Sequence, residues 1–346
     1  MPPPEDSSRE RYSRQSRFWA IGDAGQERLL AARVLVVGCG ALGSAAVDLL
    51  ARAGVGLLTV VDRDFVELSN LQRQLLFDEA DAQAGLPKAV AAARAVQRIN
   101  SDVEVRPIVM DVTPANVEAL VAGADAVLDG TDNLETRYLL NDACVKAGVP
   151  WVYGGAIGAT GMSSTIVPGE TACFRCLFPD KNPAGALATC ETSGVLGSTV
   201  AVVAAIQVAE ILKLLVGDRE HLNRGLTAID LWANELQRAE RVERRPACPC
   251  CGARRFEYLE ARSTSQTTSL CGRNAVQVSP GRPVALDLAA LGQRLAAAGR
   301  VIATEHLVRL LVGGHELTVF GDGRAIVKGT SDLAQARSLY ARYVGA

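Results

Sequence analysis

Three glycines that follow an apolar run are the first residues here whose spacing suggests chemistry. Gly38, Gly40 and Gly43 lie directly after the β-branched run 33–37 and before a helical pattern. Such glycines let the backbone turn tightly and approach a phosphate, and the helix start offers free amides to an anion. Asp62 ends the next apolar run, where a carboxylate can hydrogen-bond ribose hydroxyls. Together they predict a nucleotide site, with a merely well-packed turn as the alternative.

Cations beyond Asp62 favour a triphosphate over a dinucleotide. Arg73 lies in the polar stretch 69–74, and Lys88 begins a predicted helix. Arginine can fork onto phosphate oxygens, and lysine acts as a point charge. Asp132 follows a predicted strand, where its oxygens could bind magnesium. Taken singly, the two cations could be ordinary surface charges, and Asp132 could be a helix N-cap.

Two Cys-x-x-Cys pairs have the spacing of a zinc site. Cys173 and Cys176 form one pair, and Cys248 and Cys251 form the other. Each tight turn can offer two corners of a tetrahedron, and four thiolates leave no position for water, so we predict a structural zinc. Cys250 is an extra thiol that could replace one of its neighbours. A disulfide or redox pair is the alternative, which a reducing cytoplasm and the absence of a thioredoxin-like pattern disfavour.

The elements that must position these residues alternate between strands and helices. This alternation predicts an α/β fold, namely a Rossmann-like, doubly wound, mostly parallel sheet with helices on both faces. The glycine- and cysteine-rich region 154–197 is predicted to form a zinc-stabilised crossover. The predicted strands are 33–37, 56–62, 103–108, 124–129, 150–153 and 227–231, and the predicted helices are 44–53, 88–100, 116–121 and 133–147.

Length and charge indicate one large catalytic domain with a small appendage. The 346 residues carry 36 basic and 38 acidic side chains, a formal charge of -2, which argues against a general nucleic-acid binder. We predict a disordered tail at 1–10, a nucleotide-binding domain at 11–255 and a small α/β module at 256–346. The module's signals are a helix near 286–298, a hairpin of 316–320 with 324–328, and a final helix at 332–343.

One apolar stretch, residues 195–216, is long enough to raise the question of a membrane span. Gln207, Glu210 and Lys213 interrupt it. Because charges near a bilayer centre are costly, we predict a buried core helix and no membrane contact. The polar start of the chain differs from a signal peptide, so we expect a cytoplasmic protein.

In combination, these motifs resemble the ThiF/MoeB/HesA adenylyltransferase family, relatives of the ubiquitin-activating enzymes. The resemblance covers residues 11 to about 252. It rests on Arg11-Tyr12-Ser13-Arg14-Gln15, the glycine loop, Asp62, Ser69-Asn70-Leu71-Gln72-Arg73-Gln74, Lys88, Thr131-Asp132-Asn133 and the two cysteine pairs.

The resemblance implies an activity and a partner. The expected reaction is ATP-dependent adenylation of the C-terminal glycine of a ubiquitin-like sulfur carrier that ends in Gly-Gly, ThiS-like or MoaD-like. Such a reaction serves sulfur transfer in thiamine or molybdenum cofactor biosynthesis, and a sulfur donor protein is a possible further partner. The resemblance of the 256–346 module to the tail of longer ThiF-type proteins favours the thiamine type, with the molybdopterin type as runner-up.

Individual roles follow from the same resemblance. Asp62 would hold the ribose, Asp132 would coordinate magnesium, and Arg14 would act as an arginine finger in a neighbouring protomer's site, which implies a homodimer. The phosphates would contact Asn70, Arg73 and Lys88. Further nucleotide-binding positions would be Gly38, Gly40, Ala41, Gly43, Ser69 and Asn133. Ala41 stands where many relatives carry glycine, and we expect only a slightly altered turn there.

Cys190, within the crossover region, is not one of the four predicted zinc ligands. In the family, a cysteine at this place can attack the adenylate to form a thioester, or carry sulfur. A thiol is an effective nucleophile only when its pKa is lowered, and a helix start after Thr192 is a plausible cause. The alternative is a small buried residue, which is what we expect of the remaining cysteines, Cys39, Cys144 and Cys271.

Two other functions remain open on the sequence. An NAD-dependent oxidoreductase would explain the glycine loop but would leave Arg73, Lys88 and the zinc cysteines without a role. A non-catalytic scaffold that binds a ubiquitin-like partner would have no need to retain Arg14, Arg73, Lys88 and Asp132 together.

Overall fold

The computed structural model describes residues 10–179, 194–260, 267–270, 274–280 and 284–345. It divides into two compact units, Met1–Arg262 and Ser263–Ala346. Most of the predicted tail at 1–10, as well as Cys190 and Cys271, lies outside the described residues.

The elements of the first unit alternate through most of its length. In chain order they are α1 Gly22–Ala31, β1 Arg33–Val37, α2 Ala41–Ala53, β2 Leu57–Asp62, a 3-10 turn Leu68–Asn70, α3 Glu79–Ala84, α4 Lys88–Ile99, β3 Glu104–Val109, α5 Val117–Val121, β4 Ala126–Asp129, α6 Leu134–Ala147, β5 Trp151–Ile157, β6 Thr160–Ile166, α7 Phe174–Leu177, α8 Gly197–Val216, β7 Leu226–Asp230, β8 Glu235–Ala239 and α9 Glu257–Glu260.

One eight-stranded sheet of order β3-β2-β1-β4-β5-β6-β7-β8 organises this unit. The five strands from β3 to β5 pair in parallel, whereas β6, β7 and β8 add antiparallel strands. The parallel part confirms the predicted Rossmann-like, doubly wound α/β fold. Its strand order reverses between β1 and β4, and ligands of such sheets bind outside the carboxyl ends of the strands at this point.

Each face of the sheet has its own hydrophobic core. Alternate residues of β1 divide between the two: Val34 and Val36 pack towards α2, α4 and α8, and Leu35 and Val37 pack towards α5 and α6. A strand buried on both faces must be apolar throughout, which is why β1 reads as a continuous hydrophobic run.

Helix α8 is long and apolar enough to cross a membrane, with a mean hydropathy of 2.1. Its polar side chains are nevertheless used inside the first unit. Gln207 Nε2 donates to the carbonyl oxygens of Asp129 (2.8 Å) and Val152 (3.1 Å), and buried Glu210 accepts a 2.7 Å bond from the Thr165 hydroxyl. These bonds fix α8 against the sheet as a core helix.

The elements of the second unit are β9 Thr267–Leu270, β10 Ala275–Val278, α10 Leu288–Leu295, β11 Arg300–Ala303, β12 Leu307–Val312, β13 His315–Phe320, β14 Ala325–Lys328 and α11 Leu333–Tyr343. The strands form a six-stranded antiparallel sheet of order β11-β12-β13-β14-β10-β9 with two helices packed on it. The hairpin β13–β14 and both helices lie where the sequence predicts them. The domain boundary expected after residue 255 stays a prediction; within the first unit, Tyr258 in α9 stacks on Tyr138 of α6.

Candidate active site

The glycine loop after β1 touches the end of β4. Gly38 has a φ of +86°, and a Cβ there would lie 2.8 Å from the carbonyl carbon of Gly130. A Cβ on Gly43 would lie 1.9 Å from the Gly38 carbonyl oxygen. Only glycine fits these two positions, so the loops that follow β1 and β4 form one continuous edge. A Cβ on Gly40, by contrast, would have room, since its nearest neighbour would be the Gln74 side-chain amide nitrogen at 4.0 Å.

Asp62, the last residue of β2, turns its carboxylate into this loop. Its Oδ2 accepts a 2.6 Å bond from the Cys39 backbone amide, and its Oδ1 accepts a 2.7 Å bond from the Asp64 amide. Burial raises the pKa of Asp62, and the nearby ammonium of Lys88 opposes that shift. The predicted ribose-binding carboxylate therefore lies beside the predicted phosphate loop.

Lys88 is buried at the first turn of α4, with 3% of its surface exposed. Its Nζ lies 3.3 Å from the Asp64 carboxylate, and its backbone amide donates to the Asp64 carbonyl at 2.9 Å. A buried ammonium requires such a partner. The pairing holds the Lys88 charge close to Asp62 at the carboxyl edge of the sheet.

The turn that carries Arg73 also reaches the glycine loop. Asn70 is buried, and its side-chain oxygen accepts a hydrogen bond from the Glu67 amide. The Arg73 guanidinium donates a 3.0 Å bond to the backbone carbonyl oxygen of exposed Ser69. Gln74 is buried beside Gly40, and its side-chain oxygen has no hydrogen-bond partner among the residues that the structure describes. Sequence reasoning did not single out Gln74, whose only signal is its place in the polar stretch 69–74.

A buried ion pair shapes the end of β4. Arg137 Nε lies 3.0 Å from the Asp129 carboxylate, and Arg137 Nη2 donates to the carbonyl oxygens of Thr131 (2.6 Å) and Gly154 (2.9 Å). Asp129 also accepts from the Thr131 amide and hydroxyl. Burial alone would lower the pKa of Arg137, but the charge of Asp129 raises it. This network, which the sequence analysis missed, fixes the turn that ends in Asp132.

Asp132, at the end of that turn, and the next residue, Asn133, have different roles. Asp132 is exposed, as a magnesium ligand at the mouth of a crevice would be. The Asn133 side-chain oxygen accepts a 2.8 Å bond from the Thr136 amide and caps α6. The N-cap considered for Asp132 is thus supplied by Asn133, and the predicted nucleotide contact of Asn133 stays a prediction.

Arg14 extends from a segment that is anchored on both sides. The Tyr12 hydroxyl accepts a 2.7 Å bond from Asn100, and the Gln15 amide donates to the Ala53 carbonyl at 2.8 Å. Arg14 itself is exposed, and across the described ranges of the chain it has no hydrogen bond or ion pair. An unpaired guanidinium on a fixed segment is available to another molecule.

The four predicted zinc ligands converge. The sulfur atoms of Cys173, Cys176, Cys248 and Cys251 all lie within 4.8 Å of one another. Cys173 lies 3.6 Å from Cys248, and Cys176 lies 3.5 Å from Cys251. Four sulfurs about 2.3 Å from a tetrahedral zinc would be roughly 3.8 Å apart, so the residues present fit this metal. Cys250 instead accepts a 3.1 Å bond from the Asn141 amide.

Comparison with known proteins links this site to a family. The model of the ThiF family matches residues 12–250. The chain is 43% identical over 337 residues to the Bacillus subtilis protein named sulfur carrier protein ThiS adenylyltransferase, an alignment that covers 97% of this chain and 99% of that protein. It is also 43% identical over 251 residues to the SAMP-activating enzyme E1 of Haloferax volcanii, covering 72% of this chain and 92% of that protein.

A solved structure has the same fold. The microcin C7 biosynthetic enzyme MccB, in complex with N-formylated MccA, superposes with a TM-score of 0.62 at 25% identity. The match covers 72% of this chain and 77% of that chain.

Proposed function

The chain belongs to the ThiF family, and from this membership we propose that it uses ATP to adenylate the C-terminal glycine of a ubiquitin-like sulfur-carrier protein. It is an adenylyltransferase, like the Bacillus relative that it matches almost end to end. The observation that carries the proposal is the convergence of Asp62, Lys88 and the Arg73 turn on one glycine loop.

The reaction needs charge neutralisation more than proton transfer. A glycine carboxylate is already ionised at neutral pH, so no protein base has to activate it. The carboxylate oxygen forms a bond to the α-phosphorus, the bond from that phosphorus to the bridging oxygen breaks, and pyrophosphate leaves with the electron pair. Positioned cations stabilise the charge that develops on the phosphates.

The chain's own residues divide this work. The glycine loop and Asp62 would bind the α-phosphate and ribose, and Lys88, held by Asp64, would bind the phosphates that leave. Arg73 lies on the turn beside Gly40 and would add a second cation once its guanidinium leaves the Ser69 carbonyl. Magnesium, when bound, would supply further charge neutralisation, and Asp132 on the turn fixed by Arg137 would hold it.

Zinc would have a structural role. The four cysteines would join the start of α7 to the segment after β8, and a fourfold thiolate site leaves no position for substrate.

The carrier we favour is of the thiamine type. The relative named for ThiS matches this chain through the second unit as well as the first, whereas the Haloferax relative matches 72% of the chain. Arg14 would serve the site of a second copy, so we propose a homodimer. A sulfur donor protein and a cytoplasmic location complete the proposal.

Pyrophosphate exchange tests the function directly. Purified protein, ATP, radiolabelled pyrophosphate and a candidate carrier ending in Gly-Gly should give labelled ATP, and mass spectrometry should detect the carrier's acyl-adenylate. The same carrier without its terminal glycine is the matched control and should give neither product. Carrier binding without exchange would support the scaffold alternative, and binding of NAD in preference to ATP would support the oxidoreductase.

A further inference from the structure

The strand order fixes the direction in which a bound nucleotide lies. The glycine loop follows β1, Asp62 ends β2, and β3 lies on the far side of β2. A phosphate on the glycine loop and a ribose on Asp62 therefore direct the base away from β1. The base must lie over the carboxyl ends of β2 and β3.

Arg63 lies at this edge, directly after Asp62. Its Nη1 lies 3.3 Å from both carboxylate oxygens of Asp111, in the segment that follows β3. Its Nε lies 3.9 Å from the Asp64 carboxylate. The side chains of Arg63 and Asp111 are 27% and 29% exposed. The ion pair thus holds the planar guanidinium across the ends of β2 and β3, where it is half-buried and partly accessible.

The segment beside Arg63 forms a fixed and partly apolar surface. Met110 and Val112 are half-buried and pack against the core on that side of the sheet. Asn116 fixes their backbone, because its amide donates to the Asp111 carbonyl at 2.8 Å and its side-chain oxygen accepts from the Thr113 amide at 2.9 Å. A flat guanidinium beside apolar side chains suits a nucleobase, which has apolar faces and polar edges.

From this arrangement we infer that Arg63 stacks on the adenine of bound ATP and that Asp111 is the positioning residue for its guanidinium. The inference rests on the proposed adenylation and names a specificity determinant of that same site. A guanidinium stacks on flat π systems because it is planar and weakly hydrated, whereas the ammonium of lysine is a compact, strongly hydrated charge.

The experiment compares ATP with ribose 5-triphosphate, which has the sugar and phosphates but no base. The dissociation constant of each is measured by titration calorimetry on the full chain for the wild type, Arg63→Ala and Arg63→Lys. Both variants should bind ATP about 3- to 30-fold more weakly and bind ribose 5-triphosphate within about twofold of the wild type. Asp111→Asn should show a smaller loss with the same dependence on the base.

Arg52→Ala is the matched control. Arg52 also pairs with an aspartate, Asp48 at 3.0 Å, but lies on α2, away from the ends of β2 and β3. The Arg52→Ala variant should bind ATP and ribose 5-triphosphate with wild-type affinity. Thermal unfolding midpoints establish that each variant is folded, and Arg63→Lys decides the matter should Arg63→Ala fail to fold.

Two results would overturn the inference. An Arg63→Lys variant with wild-type affinity for ATP would show that the planar group makes no contact with the base. Equal losses for ATP and ribose 5-triphosphate would show that Arg63 contributes only charge. Failure of the wild type to bind ATP would instead overturn the proposed function, and it is visible before any variant is made.

Discussion

Replacing Arg137 by methionine should destabilise the first unit more than any surface substitution. The change removes the partner of the Asp129 carboxylate, which is fully buried, and also two hydrogen bonds to the carbonyl oxygens of Thr131 and Gly154. Breaking a buried ion pair by removing one partner destabilises by about 3 to 5 kcal/mol, because the remaining charge is left uncompensated. That is a large fraction of a typical domain's stability of about 5 to 15 kcal/mol.

Urea unfolding followed by tryptophan fluorescence measures this loss in the appropriate unit. The three tryptophans all precede Arg262, and Trp151 is fully buried in β5, so its emission reports unfolding of the first unit. The exposed pair Arg52–Asp48 supplies the matched control, because Arg52→Met should cost about 0.5 kcal/mol or less.

The same variant should also alter function through the turn that ends in Asp132. At temperatures where Arg137→Met stays folded, the magnesium concentration for half-maximal pyrophosphate exchange should rise, whereas Arg52→Met should leave it unchanged. Equal unfolding midpoints for the two methionine variants would refute the account of the buried pair. An unchanged magnesium requirement would refute its role in placing Asp132.

Three further predictions concern other parts of the chain. Gly43→Ala should abolish measurable ATP binding, because its Cβ would lie 1.9 Å from the Gly38 carbonyl oxygen, whereas Gly321→Ala, whose nearest contact would be 3.9 Å away, should leave calorimetric affinity unchanged. Cys248→Ser should lower the zinc content measured by elemental analysis to well below one ion per chain, and Cys250→Ser should retain one; the reverse result would contradict the assignment of ligands. Burial raises the pKa of Tyr258 to about 12, so the stability that its protonated form contributes is complete below pH 10 and is lost as the pH rises towards 12. The urea midpoint of the wild type should therefore fall over this pH range, and it should fall less in Tyr258→Phe. An equal fall in both proteins would show that Tyr258 does not cause it.

Much of the site was predictable from sequence because its signals are local. The glycine loop, Asp62 and Lys88 each lie at a strand or helix end that the apolar pattern marks, and a parallel sheet brings such ends to one edge. The pair Asp129–Arg137 was not predictable in the same way. Asp129 reads as the end of a strand and Arg137 as an exposed helical residue, and only the packing of α6 on the sheet buries them together.

The choice between Cys250 and Cys251 shows the same limit. Spacing favours Cys251, but both thiols are close enough in sequence to serve, and the Asn141 amide that bonds Cys250 lies 109 residues away.

The antiparallel strands β6 to β8 were likewise missed in part, since short strands with a mixed pattern resemble loops until their partners are known. In the second unit, the hairpin turn and the two helices carried clear local signals, whereas β9 to β12 did not.

The cysteine site has a consequence for how the chain matures. Cys173 and Cys248 are 75 positions apart, and the whole of α8, β7 and β8 lies between them. During synthesis both cysteine pairs become available only after α8, β7 and β8 have been made, so the proposed zinc would be bound late and would close a large loop. A chain without the proposed zinc would therefore lack the link that joins α7 to the segment after β8.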